Sequence, residues 1–183
     1  MIDRMPPLDP AKMNDAQEKA AAALIAGPRK AVVGPFIALL RSPELLDRLQ
    51  RVGEYLRFDN TIPHRLNELA ILITARHTRN DFEWVVHHAL ALKAGVARGT
   101  LDAVERMERP PAMAEDEAAI HAFVTELLRD HAVADETYAR ALRLFGEQGI
   151  VDLTATVGYL MTACLVMNVA GTPAPPSELK ALR

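Results

Sequence analysis

The 183-residue chain is half hydrophobic and a quarter charged, with 21 basic and 24 acidic side chains and a net charge of −3. Such a composition suits a soluble globular protein, and the length suits one domain with a sizeable core. It excludes a basic field for nucleic acid, and the single cysteine, Cys164, excludes an intrachain disulfide framework or a CxxC redox centre. The opening MIDRMPPLDP carries acidic and proline residues where a signal peptide would carry basic and then apolar ones, so a cytoplasmic protein is expected.

In chain order, residues 1–10 form a proline-rich arm that reads as irregular. Residues 11–26 predict an alanine-rich helix stopped by Gly27-Pro28, and 35–40 are short and apolar. Ser42-Pro43 reads as N-cap and first residue of a helix that runs through Phe58. Helices are predicted from Pro63 to Thr78 and from Asp81 to Lys93, the second closed by Gly95. Thr100 is placed as the cap of a short helix ending at Met107. Three more follow at 115–131, 135–147 and 151–170, then a proline-rich tail, 171–183, that wraps or frays. Neither strand alternation nor a solenoid repeat occurs, so the fold class is all-α in a single domain, 1–183.

The 151–170 segment, VDLTATVGYLMTACLVMNVA, approaches the length of a membrane span. Asp152, Thr154, Thr156, Thr162 and Asn168 interrupt it, and no basic or aromatic anchors flank it, so burial is expected instead of a membrane. With so little polar perimeter, a subunit interface is a natural destination, which predicts a homo-oligomer.

The most informative stretch is RLNELAILITARHTRNDFEWVVHHALALKAGV, residues 65–96, because it sets ionisable groups among apolar ones at helical spacing. In the second of its helices Glu83 and His87 stand four apart on one flank of an apolar arc, a carboxylate beside an imidazole that can pass a proton either way. Trp84 and His88 share the other flank. Glu68 lies in a helix apolar on nearly every side, where a carboxylate is expensive unless paired. Arg65, Arg76 or Arg79 could pair with it, or it could meet Glu83 and His87 across a tight antiparallel connection. Arg76 and Arg79, near that junction, are candidates to bind an anionic substrate through bidentate guanidinium contacts.

Each residue also has a plainer reading. Glu68 could be a buried salt bridge, Glu83–His87 a helix-stabilising pair, and Arg76 and Arg79 surface charges. His77, His88 and Trp84 read as structural, and Cys164 as an inert core thiol. The paired Glu-x-x-His motifs of di-iron bundles and HExxH are missing, so no metal is expected; glycine-rich phosphate loops and serine elbows are missing as well.

RLNELAIL followed by RNDFEWVVHHALALKAGV resembles the carboxymuconolactone decarboxylase family, which includes the AhpD-like alkylhydroperoxidases. The resemblance covers about Tyr55 to Val96 and implies an AhpD-like helical domain assembled as a homo-oligomer, trimer or hexamer. The peroxidase branch has a CxxC pair, a histidine four residues after its second cysteine, and an upstream glutamate. Here Asn80 and Glu83 stand at the cysteine positions, His87 matches the histidine and Glu68 the upstream glutamate, so dithiol peroxide reduction is out of reach. The EW-x-x-H arrangement matches the cofactor-free decarboxylase branch. It implies proton transfer or decarboxylation on a small lactone or organic acid, with Glu68, Glu83 and His87 catalytic and Arg76 or Arg79 binding substrate. A non-catalytic oligomeric binding or scaffold protein is the alternative on the same fold.

Overall fold

Asn14 starts helix α1 (Asp15–Ala26) with a full capping box: its side-chain oxygen accepts from the Gln17 N–H at 3.0 Å while Gln17 accepts from the Asn14 N–H at 3.1 Å. The helix therefore begins later than residue 11, after a 3-10 turn at Pro10–Lys12. The computed structural model describes residues 2–182, so Met1 of the arm and Arg183 of the tail lie outside the described residues. It continues with α2 (Pro35–Leu39), α3 (Pro43–Glu54), a π-helical turn at Tyr55–Asp59, α4 (His64–His77), α5 (Asp81–Ala94), α6 (Arg98–Glu105), α7 (Glu115–Asp130) and α8 (Asp135–Ala170). No strand occurs among the described residues, as the all-α reading expects.

Two capping assignments change. Ser42 precedes α3 without a side-chain cap bond, leaving Pro43 at the first turn as the start signal. Thr100 is buried inside α6, whose N-cap is Ala97. The predicted helices 135–147 and 151–170 are two arms of α8, which breaks at Gly146, where φ of +67° and ψ of 178° suit a residue without a Cβ.

Helix α4 is the hub, packed against α5, α7 and α8. Leu66, Leu69 and Leu72 are fully buried there with Trp84, Leu101, Ile120, Phe123 and Leu153 from the surrounding helices. Burying one such side chain contributes roughly 1.5–3 kcal/mol, so α4 and its ionisable residues are held rigidly. A second apolar cluster joins α1, α2 and α3 through Leu24, Phe36, Leu39 and Leu46. The arm is tied down by hydrogen bonds from the Arg4 backbone and guanidinium to the Ala170 and Val169 carbonyls. The tail wraps: Leu179 and Leu182 pack on the main cluster, and the Leu182 N–H donates to Asp81 at 2.7 Å.

The apolar end of α8 is long and hydrophobic enough to cross a membrane by length and composition, with a mean hydropathy of 1.7 and 44% of that window buried. Its inner face, with Leu153, Val157, Leu160, Ala163 and Met167, joins the interior, but Val151 (65% exposed), Leu165 and Val169 face outward. Complete burial within one chain is therefore not found: neighbouring helices cover only one side. Asp152, which interrupts the apolar run, serves the interior. It accepts from the Tyr55 hydroxyl (3.0 Å), the Thr61 N–H (3.0 Å) and the Thr61 hydroxyl (2.8 Å), pinning both ends of the π-helical segment.

Candidate active site

The α4–α5 connection is three residues, Thr78 to Asn80, and each has a local reason to turn. The Thr78 hydroxyl donates back to the Thr74 carbonyl at 2.8 Å, and Arg79 takes the left-handed conformation at φ +51°. Asn80 then caps α5 by accepting from the Glu83 N–H at 2.9 Å, while its amide donates to Asn168 and to the Cys164 carbonyl. The two helices run back alongside one another, and Glu68 meets His87 across the hairpin.

That meeting makes a buried array of three ionisable side chains. His87 Nδ1 lies 2.6 Å from Glu68 Oε2, and Nε2 lies 3.0 Å from Glu83 Oε2. Burial pushes the His87 pKa down, but hydrogen bonds and charge from Glu68 and Glu83 outweigh it and raise the value to about 9. At neutral pH His87 is thus an imidazolium donating to a carboxylate on each side. A metal would have to displace one of these bonds; no cluster of three or more His, Cys, Asp or Glu suited to a metal ion occurs among the described residues.

Glu83 and His87 face a cavity of about 360 Å³. Apolar walls come from Val33, Phe36 and Phe82, and the polar groups are Arg29, Arg57, Thr156 and Tyr159. Arg29 Nε and Thr156 Oγ1 are buried and have no hydrogen-bond partner. Burial lowers the Arg29 pKa, opposed by the nearby Tyr159 and Glu83, and raises that of the Tyr159 phenol. Guanidinium remains charged in proteins, so two cations stand on the walls above Glu83 and His87.

Arg76 and Arg79 are not brought to this cavity. Arg76 lies on the α6 side of α4, where its Nε donates to the Glu105 carbonyl at 2.5 Å and it lines a separate cavity with His77, Met107 and His121. Arg79 is exposed at the turn. Arg65 pairs with Asp116 and Glu117, which leaves His87 as the partner of Glu68. His88 packs its ring 5.7 Å from that of Trp84, and burial lowers its pKa. The buried Cys164 thiol is pushed up to about 12, chiefly by burial, so it is no nucleophile.

The residues that sequence reasoning missed are Arg29, Arg57 and Tyr159, and Gly53 shows how tightly they are set. A Cβ there would fall 2.1 Å from the Tyr159 hydroxyl and 2.8 Å from an Arg29 guanidinium nitrogen. The Tyr159 ring and the Arg29 guanidinium must both shift in Gly53→Ala, an overpacking cost of about 1–3 kcal/mol against the roughly 1 kcal/mol by which alanine favours the helix. The expected result is a melting temperature at or modestly below wild type with small-carboxylate affinity reduced about tenfold, the loss of one charge-assisted hydrogen bond. Calorimetric titration measures it; unchanged affinity would remove Tyr159 and Arg29 from the binding set.

Compared with known families, residues 43–126 match the model of the Carboxymuconolactone decarboxylase family. No curated protein matches the chain.

Proposed function

We propose, from the match of residues 43–126 to the carboxymuconolactone decarboxylase family, that the chain is a cofactor-independent enzyme that moves protons on a small organic acid or lactone, most simply by decarboxylation. The observation carrying this reading is the buried Glu68–His87–Glu83 array, whose Glu83 and His87 form the floor of a cavity with Arg29 and Arg57 on its walls. Among the groups lining the cavity, two guanidiniums and one imidazolium against the single carboxylate of Glu83 leave a net positive charge, which suits an anionic substrate. Arg29 and Arg57 take the substrate-binding role expected of Arg76 and Arg79.

In the reaction, the bond between the substrate carbon and its carboxylate breaks and CO2 leaves. The electron pair passes into the conjugated carbonyl, and the resulting dienolate is stabilised by the cationic walls. Glu83, supplied by the Nε2 proton of His87, protonates the carbon. One proton is consumed for each CO2 released, and solvent restores it. The test mixes pure protein with 4-carboxymuconolactone, related lactones and keto acids, adding neither metal nor cofactor, and follows CO2 release and ultraviolet absorbance. Turnover supports the reading.

A non-catalytic binding or scaffold role has one observation in its favour: both ring nitrogens of His87 are engaged, as in a purely structural ion triad. Thermal shifts with small acids and no turnover of any would favour it. Either reading includes a homo-oligomer, trimer or hexamer, in which the outward Val151, Leu165 and Val169 of α8 meet a second copy. Light scattering is expected to give a multiple of the 20.1 kDa chain mass; a monomer at micromolar concentration would count against assembly.

A further inference from the structure

Glu68 does not face the cavity that holds Glu83 and His87. It borders a second one of about 600 Å³ with Asn60, Thr61, His64, Asn67 and Leu90, and Arg57 and Phe58 line both. The two cavities meet at Arg57 and Phe58 and divide the ionisable array between them: Glu83 and His87 line one, Glu68 the other. Within the second, Glu68 Oε1 is buried and accepts no hydrogen bond, although its twin Oε2 is bonded to His87. A buried carboxylate oxygen without a donor is costly, and in native proteins such an atom calls for an explanation. One turn earlier on α4, His64 Nδ1 stands 3.8 Å from Oε1, and the His64 side chain is 61% exposed. That distance is too long for a hydrogen bond but is spanned by a small rotamer change or one bridging water.

We propose that this second cavity is a proton port, in which His64 connects Glu68, and through it the Nδ1 side of His87, to solvent independently of the cavity that takes substrate. An imidazole ring carries one donor and one acceptor nitrogen, which suits His64 to the exposed end of a relay. The steps balance. The His87 Nδ1–H bond breaks as an O–H bond forms on Glu68 Oε2, rotation of the carboxyl exchanges its oxygens, and the proton passes to His64 Nδ1 and then to water. A solvent proton returns by the reverse path. A proton arriving at Glu68 also neutralises one of the two carboxylates that hold the imidazolium, which drives the Nε2 proton toward Glu83 and the substrate cavity. His64 is thus a positioning residue for protons, acting through Glu68.

The purpose of the port rests on the proposed proton chemistry, but its test does not, because no substrate is used. Protein labelled with ¹⁵N-histidine is observed by NMR, and exchange of the two His87 ring N–H protons with water is measured in wild type, His64→Gln and His64→Phe. Both variants are expected to keep the wild-type melting temperature, since the side chain is exposed, and to slow Nδ1–H exchange at least about tenfold. Nε2–H exchange is expected to stay unchanged, and added free imidazole to restore the Nδ1 rate. Should the wild-type Nδ1–H line be broadened beyond detection, its sharpening in the variants gives the same answer. Unchanged Nδ1 behaviour, or equal slowing at both nitrogens, would overturn the port.

Discussion

If the proposed proton chemistry holds, His87→Gln is expected to lower turnover by about two to four orders of magnitude, the usual contribution of a positioned general acid or base. Glutamine retains a hydrogen-bonding amide but cannot carry or release the proton held between Glu68 and Glu83. Glu83→Gln is expected to lose a comparable factor in kcat, because Glu83 is the carboxylate facing the cavity. Arg29→Met, in contrast, is expected to raise KM more than it lowers kcat, since a wall cation holds substrate before and during the reaction. Steady-state kinetics on the four proteins separates these patterns. Full activity in both His87→Gln and Glu83→Gln would mean that the array does not carry the chemistry.

The second large effect is on stability. The His87 pKa rises from 6.5 to about 9 on folding. A group whose folded value is raised stabilises fully below its unfolded pKa and loses that contribution as pH climbs through the folded one. Between about pH 6.5 and 9 the native state binds a proton that the unfolded chain has released, so stability falls across that window by about 3 kcal/mol. Denaturant unfolding of wild type and His87→Gln at several pH values isolates the effect, because titrations elsewhere cancel in the difference. The wild-type advantage is expected to shrink by most of that amount on going from pH 6.5 to 9. A difference independent of pH would show that His87 is not an imidazolium in the folded protein.

The array was legible in the sequence because local rules make it. Glu83 and His87 share a helix face by spacing alone, and a three-residue link forces α4 and α5 to run antiparallel, which brings Glu68 within reach. The anion-binding side was not legible. Arg76 and Arg79 lie close to the array along the chain, but the helical rotation from Glu68 turns Arg76 toward α6, and the left-handed residue at 79 points its side chain outward. Arg29 comes from the loop after α1 and Arg57 from the π-helical turn, and only tertiary packing over α8 sets them above His87. No local pattern marks either one. Asp152 was legible only as an interruption of an apolar helix; its partners, Tyr55 and Thr61, lie about ninety residues earlier.

The groups that would move protons come from one length of chain, whereas the walls of the cavity are shared between that length, through Arg57 and Phe82, and its flanks. Glu68, Glu83 and His87 lie inside the matched segment, 43–126. Arg29, Val33 and Phe36 precede it, and Thr156, Tyr159 and Ala163 follow it. Each portion answers to its own constraint: the hairpin to proton-transfer distance, the flanks to the outline of a guest. Grafting new sequence onto residues 28–36 and the cavity-facing positions of α8 would therefore change which guest the cavity accepts while the hairpin stayed intact, as exchanging the jaws of a tool leaves its hinge in place.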